Sequence, residues 1–346
     1  MNSLSFRLKR RWDMTVSAFQ NDLHFSSSLA LSRLSGNLLG RIGFRKISSI
    51  FQNKKESYIL NYLSEIFEPI VEKYKSVEHE GIKQENVPVW ICWWTGLDSA
   101  PQLVKQCVKS IQQNANGHPV YIITEQNWPQ YISIPGYIIE HVSKKKMGLA
   151  HLSDYIRISL LNQYGGLWLD ATIFCSGKIP RSFFELPLFT CKSEYQECGY
   201  LSHMQWTTFC LGGWKGNVFF AFLKEAFEEY WKRNEYAIDY LFFDDLIYLA
   251  KENIPAIKQM LESIPVNTPH RDDLQAAFNA TLPAEDFWKV VHSDTHLYKL
   301  SWREKYSEFT QDGRESIYGY YLKMDIGNQE QTGKQGVAVE NAKKDH

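Results

Sequence analysis

Short apolar runs alternate along the chain with stretches in which apolar residues recur every three or four positions. The runs VPVWICWW, HPVYIIT and GYIIEHV predict three strands, and GGLWLD predicts a fourth. Between the first two runs, SAPQLVKQCVKSIQQNANG predicts a helix with Pro101 in its first turn and Gly117 past its end. Strands that alternate with helices predict an α/β fold with a mostly parallel sheet of the doubly wound type.

One stretch, HLSDYIRISLLNQYGGLWLDATIF, joins a predicted helix to a predicted strand through two glycines. Gly165 and Gly166 predict a left-handed turn that ends the helix, and the strand after them ends at an acid. In sheets of this type, ligands bind beyond the carboxyl ends of the strands. The pattern therefore places five residues at the edge where chemistry is expected: Trp93, Trp94, Thr95, Glu125 and Asp170.

The pattern divides the chain into residues 1–80, 81–324 and 325–346. The first part is basic and helical, and it contains almost no acid over its first 55 residues. Such a segment can lie on an anionic membrane surface, or it can pack as a helical arm on the domain. In the main domain, VFFAFLKEAFEEYWKRN and YAIDYLFFDDLIYLAKEN predict two apolar helices. The last part is polar and is expected to be disordered.

Composition and charge exclude some classes of function. The chain carries 38 Lys and Arg against 39 Asp and Glu, so its net charge does not suggest nucleic-acid binding. Its 6 cysteines form no CxxC pair, and we expect them to be reduced, which favours the cytoplasm. No apolar run approaches the roughly 18 residues that span a bilayer. We therefore expect a cytoplasmic protein, or one that is peripheral on the inner face of the membrane.

Two groups of polar residues in the stretch could carry chemistry. Asp154 and Arg157 lie three positions apart on the predicted helix and can pair, although the simplest interpretation is a surface ion pair. Asp170 and Thr172 lie two positions apart and would project to the same side of an extended chain. An acid at the end of a strand can hold a divalent cation that neutralises a diphosphate. A strand that ends in Asp is by itself a common feature.

The constellation SDYIR…YGGLWLDAT resembles the core of the glycosyltransferases that are built around a DXD motif. These include the family 32-type sugar transferases and the clostridial glucosylating toxins. The chain most resembles the capsular polysaccharide synthesis glycosyltransferases of bacteria. The resemblance extends over roughly residues 88–302 and includes WWTG, TTFCLGGWKGN, DYLFFDDLIYLA and LYKLSW.

The resemblance implies a GT-A fold, which is Rossmann-like, and a nucleotide-sugar donor that is most often a UDP-sugar. Trp94 matches the aromatic residue that stacks on uracil, although it could equally be a core residue at the end of a strand. Lys299 could neutralise phosphate as a point charge. The resemblance implies a donor site formed by Trp94, Thr95, Asp154, Arg157, Asp170, Lys299, Ser301 and Trp302.

The resemblance also implies a divalent cation, Mn²⁺ or Mg²⁺, held by Asp170, Thr172 and His296. Related enzymes place their principal metal-binding Asp where this chain has Thr172, so the metal site is expected to be weak. His296 could instead be a polar loop residue.

Catalytic roles are predicted for Asp170 and for Asp244 or Asp245, which lie with Asp239 in an otherwise apolar predicted helix. One of these acids could orient the acceptor hydroxyl or the donor sugar. They could equally mark a helix edge that faces water.

These features together favour a hexosyltransferase. The resemblance implies that it would transfer a sugar from a UDP-sugar, with retention of configuration, to an oligosaccharide or a lipid-diphosphate-linked saccharide of a capsule or exopolysaccharide. The alternative is a catalytically degenerate protein that binds nucleotide-sugars or acts as a scaffold, and Thr172 is its support. A phosphohydrolase of the haloacid dehalogenase type is disfavoured, because the second Asp of its motif is missing and the strand lies deep in the chain.

Overall fold

The structure is a computed structural model, and it describes residues 3–78, 80–196, 200–281, 293 and 295–323, with side chains from residue 12 onward. The described helices are α1 (Ser3–Asp22), α2 (Ser27–Arg41), α3 (Arg45–Tyr74), α4 (Gln102–Asn114), α5 (Gly136–Ser143), α6 (Leu149–Tyr164), α7 (Ser182–Glu185), α8 (Val218–Arg233), α9 (Phe242–Asn253), α10 (Pro255–Ser263), α11 (Asp273–Ala277) and α12 (Ile317–Lys323). The described strands are β1 (Val89–Cys92), β2 (Val120–Ile123), β3 (Gly166–Leu169), β4 (Ile173–Cys175), β5 (Leu188–Thr190), β6 (Cys210–Gly213) and β7 (Leu297–Lys299).

The chain forms two compact units, each built from separate stretches of sequence. The helical unit comprises residues 1–79, 133–159 and 218–259, and the sheet unit comprises residues 80–132, 160–217 and 260–346. The tail 325–346, which was predicted to be disordered, lies outside the described residues.

A five-stranded sheet forms the centre of the sheet unit, in the order β2-β1-β3-β6-β5. β1 is parallel to both β2 and β3, whereas β6 is antiparallel to both β3 and β5. Four of the five strands therefore share one direction. β4 and β7 pair antiparallel in a separate two-stranded sheet. The prediction of an α/β fold with a mostly parallel sheet is confirmed.

The central strands are buried on both faces, and this explains why they read as continuous apolar runs. Val89, Ile91, Leu167 and Leu169 are each 0% exposed. They pack with side chains of α4 and β6 in one apolar cluster. Burial of each such side chain contributes roughly 1.5–3 kcal/mol to folding.

Two glycines place β3 beside β1. Gly165 and Gly166 have φ angles of +67° and +98°, which confirms the predicted left-handed turn after α6. A Cβ atom on Gly166 would lie 2.1 Å from the carbonyl oxygen of Pro88. The next amide, that of Leu167, donates to the same oxygen at 2.9 Å. Only glycine permits this approach, and it sets the position of the strand that ends at Asp170.

The run GYIIEHV was predicted as a strand, and this prediction is wrong because the run forms α5. Tyr137 and His141 lie four positions apart, on one face of a helix. The Tyr137 hydroxyl donates to the main-chain oxygen of Glu228 at 3.1 Å. A ring nitrogen of His141 lies 3.0 Å from the main-chain oxygen of Trp231. Both acceptors belong to α8, so tertiary packing selects the helix for a short apolar run that is ambiguous by itself.

The N-terminal segment forms α1, α2 and α3, as predicted, and charged residues tie these helices into the helical unit. Arg33 contacts Asp22 at 2.6 Å and Asp239 at 3.3 Å, and Lys55 contacts Asp239 at 3.4 Å. Asp239 was predicted to lie within a helix, but α9 begins only at Phe242. These contacts show that the segment packs within the helical unit, and whether it also contacts a membrane surface stays a prediction. Within the described residues, no helix is both long and apolar enough to cross a membrane.

Candidate functional site

The carboxyl ends of three parallel strands meet at one edge of the five-stranded sheet. The residues that follow β1 and β2 are joined there: the Trp93 amide donates to Ile123 at 3.0 Å, and the Glu125 amide donates to Trp94 at 2.9 Å. Asp170 follows β3 at the same edge. This arrangement agrees with the predicted location of the site, because ligands of such sheets bind beyond these ends.

Asp170 is held by main-chain and side-chain hydrogen bonds. Its amide donates to the carbonyl oxygen of Phe209 at 2.9 Å, and its own carbonyl accepts from Ile173 at 2.9 Å, which closes a tight turn. The indole N–H of Trp168 donates to Asp170 Oδ1 at 3.0 Å. The side chain is 29% exposed, so the carboxylate is oriented but still accessible to a ligand. The sequence did not indicate the role of Trp168.

Lys299 contacts both residues of the predicted metal-binding pair. Its ammonium donates to Asp170 Oδ2 at 2.7 Å and to Thr172 Oγ1 at 2.9 Å. The prediction that Asp170 and Thr172 project together from an extended chain is wrong in conformation, because residues 170–173 form a turn. The turn nevertheless brings both oxygens to one atom.

The register of the small sheet fixes this contact. Ile173 of β4 pairs with Lys299 of β7, and the amide of Leu300 donates to the carbonyl oxygen of Thr172 at 2.9 Å. Lys299 itself donates from its amide to the carbonyl oxygen of Arg271 at 2.7 Å. Backbone hydrogen bonds on both strands thus hold the main chain of Lys299 beside Thr172. The position of the ammonium therefore does not depend on the flexible Lys side chain alone.

Two cations lie close to the ring of Phe209. The Lys299 ammonium is 4.9 Å from the centre of this ring, and the Arg271 guanidinium carbon is 5.8 Å from it. Arg271 is 6% exposed, and its Nη1 has no hydrogen-bond partner among the described residues. Its Nε lies 3.4 Å from the exposed carboxylate of Asp272. The sequence did not indicate a role for Phe209 or Arg271 at this site, because no pattern around either residue distinguishes it from an ordinary core or loop residue.

The remaining predicted donor residues of the sheet unit lie after β1 and after β7. Trp302 is 43% exposed and makes an edge contact with Trp93, with ring centres 5.9 Å apart. The aromatic residue that Trp302 contacts is therefore Trp93, the neighbour of the predicted Trp94. Trp94 and Ser301 are half-buried, and Thr95 is exposed and accepts a hydrogen bond from Ser99 at 2.9 Å. Their donor-binding roles stay predictions.

Asp154 and Arg157 form a pair within the helical unit. Arg157 Nη1 donates to Asp154 Oδ1 at 2.9 Å. The side chain of Arg157 is only 5% exposed, and that of Asp154 is 16% exposed. The guanidinium carbon also lies 5.5 Å from the ring centre of Phe243. The simple interpretation of an exposed ion pair is thus wrong. That this pair and Asp170 converge on one donor stays a prediction.

Asp244 and Asp245 lie in the first turn of α9, and their environments differ. Asp244 is half-buried, whereas Asp245 is 5% exposed and its Oδ2 has no hydrogen-bond partner among the described residues. Burial, together with the nearby Asp239 carboxylate, holds the pKa of Asp245 well above its usual range. Asp245 is therefore a carboxylic acid that resists ionisation. The catalytic role of either residue stays a prediction.

The structure does not bring together the three predicted metal ligands. The carbonyl oxygen of His296 accepts from the Ser176 amide at 3.1 Å, at the opposite end of the β4–β7 pair from Lys299. Three residues of extended chain correspond to about 10 Å. Among the described residues, no group of three His, Cys, Asp or Glu side chains could hold a metal ion. The oxygens of Asp170 and Thr172 contact an ammonium group, so the residues present do not fit a divalent cation.

Comparison with known proteins gives one family. A family model described as capsular polysaccharide synthesis protein matches residues 41–321. No curated protein matches the chain by sequence. A solved structure, the PaToxG glycosyltransferase, aligns with 71% of this chain and 94% of its own at 14% sequence identity and a TM-score of 0.33. A likeness of that size carries no argument about fold or function.

Proposed function

The chain belongs to the capsular polysaccharide synthesis protein family, and we propose that it acts there as a glycosyltransferase. The observation that carries the proposal is the Asp170 carboxylate, which is oriented by Trp168 and Lys299 at the carboxyl edge of the parallel strands. An oriented carboxylate beside fixed cations suits a donor that carries both sugar hydroxyls and a diphosphate.

The proposed reaction is the transfer of a hexose from a UDP-sugar to an oligosaccharide or a lipid-diphosphate-linked saccharide, with retention of configuration. The bond from the anomeric carbon of the sugar to the diphosphate oxygen breaks, the acceptor oxygen forms the new bond to the same carbon, and the acceptor hydroxyl loses its proton to the departing diphosphate. Negative charge then grows on the departing diphosphate. Lys299 and Arg271, which both lie against the Phe209 ring, are the cations that would stabilise this charge.

The other residues of the proposed donor site follow the resemblance in sequence to DXD-type transferases. Trp94 would stack on the base, and Asp154 and Arg157 would bind hydroxyls of the ribose or the sugar. Asp244 would orient the acceptor in preference to Asp245, because Asp245 is buried and resists ionisation. A GT-A fold is part of the same proposal.

A panel of nucleotide-sugars, each assayed for release of free nucleotide, tests the proposal. We expect one donor to release UDP, and we expect Asp170→Asn to lower that rate by about 100-fold or more while the thermal midpoint stays unchanged. Asp312→Asn is the matched control, since Asp312 forms an exposed pair with Arg314. Unchanged turnover in Asp170→Asn would refute the assigned site.

The alternative is a protein that binds nucleotide-sugars without turnover. Thr172, a hydroxyl in place of a second acid, is the observation that supports it. In that case UDP-sugars would bind to the wild-type chain, but no donor of the panel would release UDP. A binding measurement by calorimetry alongside the turnover assay separates the two functions.

Exposed apolar side chains in and between the first three helices support a contact with an anionic membrane surface. Large apolar side chains are exposed there in number: Trp12, Met14, Val16, Leu23, Leu31, Leu38, Ile42, Phe44, Ile47 and Ile50. Leu31 and Leu38 lie two helical turns apart on one face of α2. Residues 23–55 contain no acid, and Arg41, Arg45 and Lys46 are exposed among the apolar residues. Apolar side chains mixed with cations fit an anionic lipid surface.

Sedimentation with lipid vesicles tests this contact. The wild-type chain should bind phosphatidylglycerol vesicles, bind phosphatidylcholine vesicles weakly and dissociate as salt rises. The double variant Ile47→Ser/Ile50→Ser should lose about tenfold or more in affinity. Leu149→Ser, which changes a 51% exposed apolar residue of α6, is the control. Equal binding by wild type and double variant would refute a membrane contact through α3.

A further inference from the structure

Three groups of the sheet unit surround the Lys299 ammonium. Asp170 Oδ2 lies at 2.7 Å and Thr172 Oγ1 at 2.9 Å, and the centre of the Phe209 ring lies at 4.9 Å. The ring adds a cation–π attraction to the two hydrogen bonds. Asp170 and Thr172 are the two adjacent positions that the sequence predicted as ligands of a divalent cation. A cation of the chain itself is already bound to them.

We infer that the Lys299 ammonium takes the place of the divalent cation, so that this enzyme binds its diphosphate donor and turns it over without a metal ion. The inference rests on the proposed function, because it assigns the cation of the same donor site. It also gives a reason for Thr172, the departure from the two-acid motif.

Charge balance explains why one acid suffices. In a two-acid motif, two carboxylates balance one divalent cation. Here the carboxylate of Asp170 pairs with one ammonium, and Thr172 supplies a neutral acceptor. A carboxylate at position 172 would leave one excess negative charge beside the donor diphosphate, which would repel it. The hydroxyl thus completes the coordination of the ammonium without weakening its charge.

The ammonium can still bind a ligand. A Lys side chain has three N–H donors, and Asp170 and Thr172 accept from two of them. No acceptor for the third is found among the described residues, and the side chain is 27% exposed. One donor is therefore left for a phosphate oxygen. Arg271, with a buried Nη1 that lacks a partner among the described residues, adds a second cation near the Phe209 ring.

A divalent cation has little to gain at this place. Mg²⁺ requires near-octahedral oxygen ligands at about 2.0–2.1 Å and prefers charged oxygens. Here it would find one carboxylate and one hydroxyl, and it would have to displace the ammonium or lie beside it. His296 lies at the far end of β7 and cannot complete the set.

The test compares the wild-type chain with three variants of it. Lys299→Met removes the charge and keeps a long side chain. Thr172→Asp/Lys299→Met restores two carboxylates and removes the ammonium. Lys323→Met, in an exposed pair with Glu315, is the matched control. For each protein, Mn²⁺ binding is followed by electron paramagnetic resonance of the free ion. UDP affinity is measured by calorimetry, and release of UDP from the donor by the turnover assay, each in Mn²⁺ and in EDTA. Circular dichroism monitors the fold.

We expect wild type and Lys323→Met to bind UDP equally in Mn²⁺ and in EDTA, and to bind no stoichiometric Mn²⁺. Lys299→Met should release UDP from the donor about 100-fold more slowly under both conditions. The double variant should bind Mn²⁺, and its UDP affinity should rise only when Mn²⁺ is present. Such an acquired metal dependence is a result that a purely structural role of Lys299 would not produce.

Two outcomes would overturn the inference, and they are distinguishable from each other. If wild type binds one Mn²⁺, or binds UDP only when Mn²⁺ is present, the inference is wrong but the proposed function stands. If UDP and UDP-sugars fail to bind the folded wild-type chain with or without Mn²⁺, the proposed function fails and the inference fails with it. The wild-type measurements decide both cases even if a variant does not fold.

Discussion

Replacement of Arg33 by Met should destabilise the helical unit strongly. Arg33 Nε donates to Asp22 Oδ2 at 2.6 Å, and Arg33 Nη1 donates to Asp239 Oδ2 at 3.3 Å. The Asp22 side chain is 1% exposed and that of Asp239 is 7% exposed. Loss of the guanidinium leaves Asp22 without this partner, whereas Asp239 keeps Lys55. One buried carboxylate left uncompensated costs about 3–5 kcal/mol.

The pKa directions give the pH dependence of this loss. Burial by itself would raise the pKa of Asp239, but the Arg33 and Lys55 cations outweigh it and hold this pKa below its usual range. The wild-type chain therefore gains stability from Asp239 above about pH 4 and loses it as pH falls through the lower folded pKa. Arg33→Met removes part of this gain, and it also raises the pKa of Asp22, which burial already holds above its usual range, still further. Its destabilisation should therefore shrink in acid.

Urea denaturation followed by circular dichroism, at pH 7 and then at steps below about pH 4, measures the effect. Arg233→Met is the control: its pair with Glu229 is largely exposed, so it should cost less than about 1 kcal/mol. Asp22→Asn/Arg33→Met should recover part of the loss, because no uncompensated charge then stays buried at position 22. A cost for Arg33→Met no greater than that of the control would refute the reasoning.

Three further predictions address single positions. Asp245→Asn should raise the free energy of unfolding at pH 7. The reason is that the folded pKa of Asp245 is raised, so the wild-type chain loses stability as pH climbs above about 4. If the stability gained by the variant does not fade when unfolding curves are measured at lower pH, the prediction is wrong. Gly166→Ala should lower the free energy of unfolding by about 3 kcal/mol or more in urea denaturation, because the new Cβ would collide with the carbonyl oxygen of Pro88. Gly117 has a φ of +90° and open space around it, so Gly117→Ala should cost only about 1–2 kcal/mol. Trp168→Phe should slow UDP release about tenfold, because it removes one charge-assisted hydrogen bond to the proposed catalytic carboxylate. It should also lower the thermal midpoint, because Trp168 is 1% exposed and the smaller ring leaves a cavity. An unchanged rate would mean that the bond does not orient the carboxylate.

Local sequence predicted the elements whose signal is contained within a few residues. The continuous apolar runs of β1, β2 and β3, the helix α4 and the turn at Gly165 and Gly166 were read correctly. The strands β1 and β3 are buried and must be apolar, the edge strand β2 is a short run of β-branched and aromatic residues, and a left-handed turn favours glycine. The position of Asp170 at the end of a buried strand was predicted for the same reason, since it stands directly after β3.

The predictions that failed concern choices made by distant residues. α5 is a helix because its face meets the main chain of α8, and nothing in GYIIEHV itself requires this. Arg157 looked like a surface ion pair, but Phe243 of α9 covers its guanidinium. The local sequence likewise did not show that Asp245 is buried and resists ionisation, and its catalytic role stays a prediction.

The sequence by itself determined the α/β class, the sheet edge and the single acid at its centre, because periodicity and turn chemistry act over short distances. Only the tertiary structure decided what the acid binds. Lys299 lies 129 positions from Asp170, and the pairing of β7 with β4 brings its ammonium to the carboxylate and to Thr172. A hydroxyl that reads as a missing metal ligand in the sequence becomes, once the strands pair, an acceptor for a cation that the chain supplies itself.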